Sequence, residues 1–247
     1  MKKVYMYIFS LITSLIITNC CYSQSNYQVK YKMTTLFDGL KNYEAKLTFS
    51  KQESCFEYKL FANDTTTIEN EDENGHKRIA IPNKRQQSIY INFKDKKISE
   101  LKHFKSAYLV DDTLSFPQWD ITSEIKTINN HQCQKATAFY KGRTYEVWYA
   151  NEYPTFFGPW KLNGLPGLII LAYDRKNEVF FEAIEIQKID ENTCQIDNSI
   201  KHMSKNEFEN LIKTWQKDYE ERLKSMGDRS IKFNVQFGKA VDIEIVD

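Results

Sequence analysis

The chain has 247 residues, 34 basic and 33 acidic, a formal net charge of +1, and 41% hydrophobic residues. So even a balance excludes the basic surface that neutralises phosphates, and no nucleic-acid partner is expected. Five cysteines without a Cys-x-x-Cys spacing exclude both a disulfide-dense scaffold and a ribbon-type zinc site.

Lys2 and Lys3 precede an apolar run from Val4 to Ile17, which is followed by Cys20, Cys21, Tyr22, Ser23 and Gln24. The run falls short of the roughly 20 residues of a membrane span, and its basic start and small-residue end predict a secretory signal. Residues 1–23 are assigned to that signal, with cleavage between Ser23 and Gln24. The alternative is lipidation of Cys20, which Asn19 before it fits poorly. Residues 24–247 then form one domain exported to the periplasm or cell surface, with no transmembrane span and expected to be a monomer. Cys55, Cys133 and Cys194 remain in it. At most one disulfide is possible, and the spacing does not choose the pair.

The mature chain alternates like half-buried antiparallel strands. Tyr27, Val29, Tyr31 and Met33 alternate with polar residues, as do Ala45, Leu47 and Phe49, then Phe56, Tyr58 and Leu60. The polar stretch from Asn63 to Lys77 reads as a loop. Strand pattern returns at Ile89, Ile91 and Phe93, and weakly from Ile98 to Val110. The clearest hairpin joins Cys133–Tyr140 to Arg143–Ala150 across Lys141-Gly142, a two-residue turn with glycine where φ is positive. Its register sets Tyr140, Ala138 and Ala136 opposite Arg143, Tyr145 and Val147. On the other face Lys135, Glu146 and Trp148 form an amphipathic patch, which is either a solvated ion-paired face or a binding patch.

Next comes GPWKLNGLPGLII, residues 158–170, where backbone punctuation is densest. Pro154, Pro159 and Pro166 fix φ, and Gly158, Gly164 and Gly167 permit what other residues cannot. A compact Ω-like lobe is expected between the strands ending near Ala150 and starting at Leu168, with Trp160 largely buried. Arg143 and Lys161 are expected to line whatever opening remains. The candidate binding or motif residues are therefore Arg143, Trp148, Gly158, Pro159, Trp160, Lys161, Gly164, Leu165, Pro166 and Gly167. Leu168–Leu171 is apolar on both faces and must be covered twice.

A second hairpin turns at Asp174–Asn177 into Val179–Ile186. Then Ser204 and Glu207 predict a capping box opening a helix, with Met203 and Phe208 as a hydrophobic staple and Gly227 as the stop. Its stripe is Phe208, Leu211, Ile212, Trp215, Tyr219, Leu223 and Met226. This helix is expected to cover the Leu168–Leu171 strand. A last strand runs from Ile231 to Phe237. The fold class is mainly β: a single curved antiparallel sheet or open barrel of roughly 9 to 11 strands, with one C-terminal amphipathic helix packed on it.

The run from Trp119 to Asp174 resembles the GLPGLI family of exported bacterial proteins, whose motif stands here at Gly164–Ile169. The resemblance includes the Cys-x-Lys-Ala start at Cys133, Gly142-Arg143, Trp148-Tyr149 and Gly158-Pro159-Trp160. It departs at Asn130-His131-Gln132, where the family often turns on a glycine. It implies an exported protein and supplies no catalytic residues.

No metal or cofactor is expected, because His76, His103, His131 and His202 lack ligand spacing. No GxSxG, HExxH or phosphate-binding loop is present. His131 and Cys133 share a strand face, but a lone cysteine is more often buried and inert. The expected function is a non-catalytic binding or interaction module of the cell envelope, its partner an envelope protein or an apolar small molecule. The alternatives are a periplasmic carrier of an apolar ligand and an envelope hydrolase without a recognisable motif.

Overall fold

A computed structural model describes residues 26–36, 39–61, 68–71, 77–80, 85–191, 196–197, 199–226 and 243–244. The signal assignment, Cys20, Ser23, Gln24, Cys194, Gly227 and the strand from Ile231 to Phe237 lie outside these residues.

Two meanders meet at one seam. The first contains β1 (Asn26–Thr35), β2 (Lys41–Phe49), β3 (Glu53–Leu60), β6 (Gln87–Asn92), β7 (Lys97–Phe104) and β8 (Ser106–Thr113). The second contains β9 (Asp120–Ile128), β10 (His131–Tyr140), β11 (Arg143–Ala150), β12 (Leu168–Asp174) and β13 (Val179–Ile189). β1 pairs with β13 from Asn26↔Ile189 to Thr35↔Val179, joining the halves into a 12-stranded sheet with β14 (Lys201–Ser204) and β9 at its edges. All pairings are antiparallel except β14 on β8. The curved antiparallel sheet is as expected, one strand wider than the upper bound. Irregularities at Lys30/Tyr31, Gln134/Ala136 and Trp148/Tyr149 bend it, as unpaired extra residues do.

The period-two pattern decides the faces. Val29, Tyr31, Met33, Leu47, Phe49 and Phe56 are buried on the inner face. On the outer face Lys30–Glu185, Lys46–Glu57 and Lys59–Glu44 form exposed ion-pair ladders. The predicted hairpin is found in its predicted register, with Tyr140↔Arg143, Thr137↔Glu146 and Lys135↔Trp148 paired. Its turn residues Lys141 and Gly142 both take positive φ, 51° and 78°, which matches the right-handed twist of the strands they join.

Two expectations are corrected. The Asn63–Lys77 stretch is not all loop: β4 (Ile68–Glu71) pairs with β5 (Lys77–Ala80) in a separate two-stranded sheet. Composition hid it, because a ladder held by backbone groups needs little apolar side chain. The second correction concerns α1 (Lys205–Met226), which follows β14 directly and is tethered at the β8 edge. It packs there through Trp215 on Phe104 and Phe208 on Tyr108, far from β12. Its capping box is present: the Ser204 amide donates to Glu207 Oε2 (2.7 Å), and the Glu207 amide to Ser204 Oγ (3.3 Å). No described helix is long and apolar enough to cross a membrane.

Candidate functional site

What covers the inner face of β12 is the loop of residues 151–167. Its neck is closed by the Tyr153 amide donating to the Ala150 carbonyl (3.4 Å) and the Leu168 amide to the Tyr153 carbonyl (3.2 Å). Further in, the Gly164 amide donates to the Phe156 carbonyl (2.8 Å), and the Gly158 amide to Asn163 Oδ1 (3.0 Å). The Trp119 indole N–H donates to the Asn163 carbonyl (2.9 Å), binding the loop to the approach of β9. Phe157, Trp160, Leu162 and Leu165 are fully buried beneath it. Trp160 lies between Tyr140 and Tyr145, each centroid 6.2 Å away, and itself holds φ 55°, a strained value for a bulky residue. The compact lobe and the buried indole are as expected.

The glycines act in two ways. Gly164 sits at φ +101°, where a Cβ is strained whatever the space. Gly158 and Gly167 are needed for approach: a Cβ would stand 2.1 Å from the Leu162 carbonyl oxygen in one case and 2.5 Å from that of Ala150 in the other. Pro159 accepts from the Leu162 amide (3.1 Å), fixing the turn that carries Trp160 and Lys161. Leu165 is buried, and Pro166 is exposed on the loop surface. At the motif's end, the buried Tyr31 hydroxyl of β1 donates to the Ile169 carbonyl (2.7 Å), and burial pushes its pKa up.

Arg143 and Lys161 do not line an opening; each is about 5% exposed. Arg143 donates through Nε to the Ile243 carbonyl (2.8 Å) and through Nη1 to Asp174 Oδ2 (3.0 Å) and Glu178 Oε2 (2.5 Å). Asp174 Oδ1 accepts from the amides of Glu178 (2.7 Å) and Val179 (2.9 Å), so one carboxylate anchors both the arginine and the hairpin turn. Lys161 bonds Glu100 Oε1 (2.5 Å) and Glu244. Burial alone would raise the Glu100 carboxyl, but Lys102 and Lys161 overcome it and hold the pKa at about 2. Buried cations need such partners, and here they come from three separate parts of the chain, around residues 100, 174–178 and 243–244. Nothing in the local pattern pointed to Glu100, Glu178 or Glu244; Asp174, opening a DRKN turn, could have been read as a turn-capping carboxylate.

Trp148, on the outer face, is capped by the ammonium groups of Lys126 and Lys135 at 5.7 and 5.8 Å. Lys135 pairs with Glu124 and Glu146, each at 3.3 Å, and the Tyr173 hydroxyl bonds Glu146. The patch is ion-paired within the sheet, and Trp148 itself is buried. Cys133 is buried, its pKa pushed up to about 11 by burial and by the Glu152 carboxylate. His131 engages Glu152, so cysteine and histidine do not form a nucleophile–base pair. Among the described residues no group of three or more metal-ligating side chains is placed to hold an ion.

An aromatic run crosses the inner face under the loop. Phe93 stacks on Phe157 (4.3 Å), Phe157 meets Phe49 (6.2 Å), Phe49 stacks on Tyr27 (5.5 Å), and Tyr27 meets Tyr153 (5.9 Å). Its middle is buried and its ends reach solvent. At one end Phe116 and Phe156, 41% and 56% exposed, flank Phe93. At the other, Tyr153 meets the His131 ring (5.5 Å).

The family described as "N-glycanase peptide, N-terminal domain" matches residues 42–212. Two solved structures of PNGF-II, in space groups P21 and C2, are similar, each at 18% identity and TM-score 0.51 over 76% of this chain. The chain spans about a third of their length, 33% and 32%. None of the curated proteins matches. The family found is thus an N-glycanase family, and the GLPGLI family is not what the comparison returns. This overturns the expectation of a non-catalytic binding or interaction module, since the matching family is named for glycan-cleaving enzymes. The apolar carrier falls with it, and the loop's Phe157, Trp160, Leu162 and Leu165 already occupy the buried space over β12. Over more than half its length, the chain matches and belongs to the N-glycanase peptide N-terminal domain family.

Proposed function

We propose that the chain works in the removal of N-linked glycans from glycoproteins, with its glycan-facing side the side of the sheet that carries the 151–167 loop. One observation carries the reading: the matched stretch, residues 42–212, takes in the whole loop, the strands that hold it and every ring of the aromatic run except Tyr27. Half-exposed rings beside hydrogen-bonding groups suit carbohydrate, which offers an apolar C–H face and a rim of hydroxyls. Export fits a substrate found outside the cytoplasm, and the basic, apolar start of the chain supports it, whether the mature protein is released to the periplasm or held at the surface. The GLPGLI resemblance enters as a description of the loop sequence, Gly164–Ile169. We take the protein to act as a monomer.

The test uses the full chain and a glycoprotein carrying N-linked glycans, before and after those glycans are stripped. Retention of the intact glycoprotein alone is expected, with free glycan detected by mass spectrometry on prolonged incubation. Equal retention of both forms without glycan release overturns the reading.

A further inference from the structure

The solvent-facing end of the aromatic run differs in kind from the rest of the inner face. Tyr27 opens β1, His131 opens β10, and Glu152 and Tyr153 follow β11, so three separate elements deliver these side chains to one place. The rings meet nearly edge to face: Tyr27 and Tyr153 at 5.9 Å and 81°, His131 and Tyr153 at 5.5 Å and 69°. The imidazole bonds the Glu152 carboxylate, whose side chain is 52% exposed. Beneath them Phe49 stacks on Tyr27 and is itself buried, so the ring it supports cannot sink. Tyr153 is held by its own backbone, donating to Ala150 and accepting from Leu168. Burial, together with the Glu152 carboxylate, raises the Tyr153 hydroxyl, which therefore keeps its proton.

We infer that Tyr27, Tyr153, His131 and Glu152 form a subsite for one pyranose ring, an inference that rests on the glycan reading above. A sugar ring needs two kinds of contact. Its C–H face needs a rigid aromatic plane, which the Tyr153 ring provides on a fixed backbone, with Tyr27 set nearly perpendicular beside it. Its vicinal hydroxyls need acceptors close together, which the Glu152 carboxylate and the His131 Nε2 provide at the edge of that plane, Nδ1–H being donated to Glu152. A surface ion pair alone would need no aromatic support. An aromatic core contact would not place an exposed carboxylate and an imidazole at its margin. At the other end of the run the three rings, Phe93, Phe116 and Phe156, are hydrocarbon only.

The probe is the disaccharide of N-acetylglucosamine, titrated into the full chain by calorimetry and by NMR of the His131 ring protons. Saturable binding that shifts the His131 resonances is expected. Glu152→Gln, at an exposed position, keeps the melting temperature and weakens binding about tenfold, and Tyr153→Ala weakens it at least as much. Absence of saturable binding, or affinity unchanged in Glu152→Gln, overturns the subsite. The glycoprotein assay separates the two claims. Glycan-dependent retention that persists in both variants removes the subsite and leaves the glycan reading standing. Disaccharide binding lost in the variants, with no glycan-dependent retention by the wild type, keeps the subsite and removes the N-linked glycan as its source.

Discussion

The Arg143 guanidinium and the Asp174 carboxylate stand 3.0 Å apart with side chains only 4% and 2% exposed. Deleting one member of such a pair strands the other charge in a poorly solvated place. Arg143→Ala should therefore cost about 3 kcal/mol or more, read as a lower denaturant midpoint. This reverses what an opening lined by Arg143 would imply, namely a variant that melts like the wild type. Lys161→Ala should behave the same way, because it leaves Glu100 and Glu244 facing each other without their shared cation.

The loop glycines should rank by mechanism. Gly158→Ala drives a Cβ against a backbone oxygen that the Pro159 turn holds in place, so the loop itself must shift. Gly164→Ala meets only the flexible Phe116 ring, at 3.4 Å, and its cost is the left-handed backbone, about 1–2 kcal/mol. Thermal melting should place Gly158→Ala and Gly167→Ala below Gly164→Ala, and all three below the wild type. Equal melting of wild type and Gly158→Ala would contradict the close approach.

Acid should act through Glu100. Its folded pKa of about 2 lies below the ordinary 4.5, so its contribution to stability is full above pH 4.5 and is lost as pH falls from there toward 2. Lys161 is raised despite its burial, because Glu100 and Glu244 lie beside it. Its contribution is complete below its ordinary 10.5 and is lost only as pH rises beyond that. Unfolding midpoints measured across the acid range should fall less steeply in Glu100→Gln than in the wild type.

Cys133 should resist thiol reagents at neutral pH. Its side chain is fully buried with a pKa of about 11, and the thiol donates to the His131 carbonyl (3.4 Å). Mass spectrometry after alkylation should find it unmodified in the folded protein and modified once denaturant is added.

Local chemistry was legible in the sequence and distant pairing was not. Lys141-Gly142 revealed its hairpin to the register because a two-residue turn leaves one way to align its strands. The Ser204–Glu207 box marked the start of α1 for the same reason, that every atom involved lies within one turn. The amphipathic stripe showed that the helix needs cover but not where, and its place at the β8 edge follows from the parallel β14 pairing. Arg143 and Lys161 looked like free cations beside an apolar loop. Their counter-charges sit 31 and 61 positions away, at Asp174 and Glu100, and no spacing rule connects them. The Tyr27–Tyr153–His131 cluster was hidden likewise, two ordinary strand-end rings and one loop tyrosine until the sheet curves.

The seam between β1 and β13 should be the slow step of folding. Within each meander nearly every strand pairs with a neighbour in sequence, so both halves can zip from their turns. Lys30 and Glu185, facing each other across the seam, are 155 positions apart. Bringing such distant strands together spends loop entropy before any contact rewards it, which slows the step that joins the halves. The first strand therefore waits, the edge opposite β2 unpaired, until the thirteenth exists to receive it. During that interval the exposed partner is the edge that another molecule could capture, and the long wait makes β1 the place where misassembly would begin.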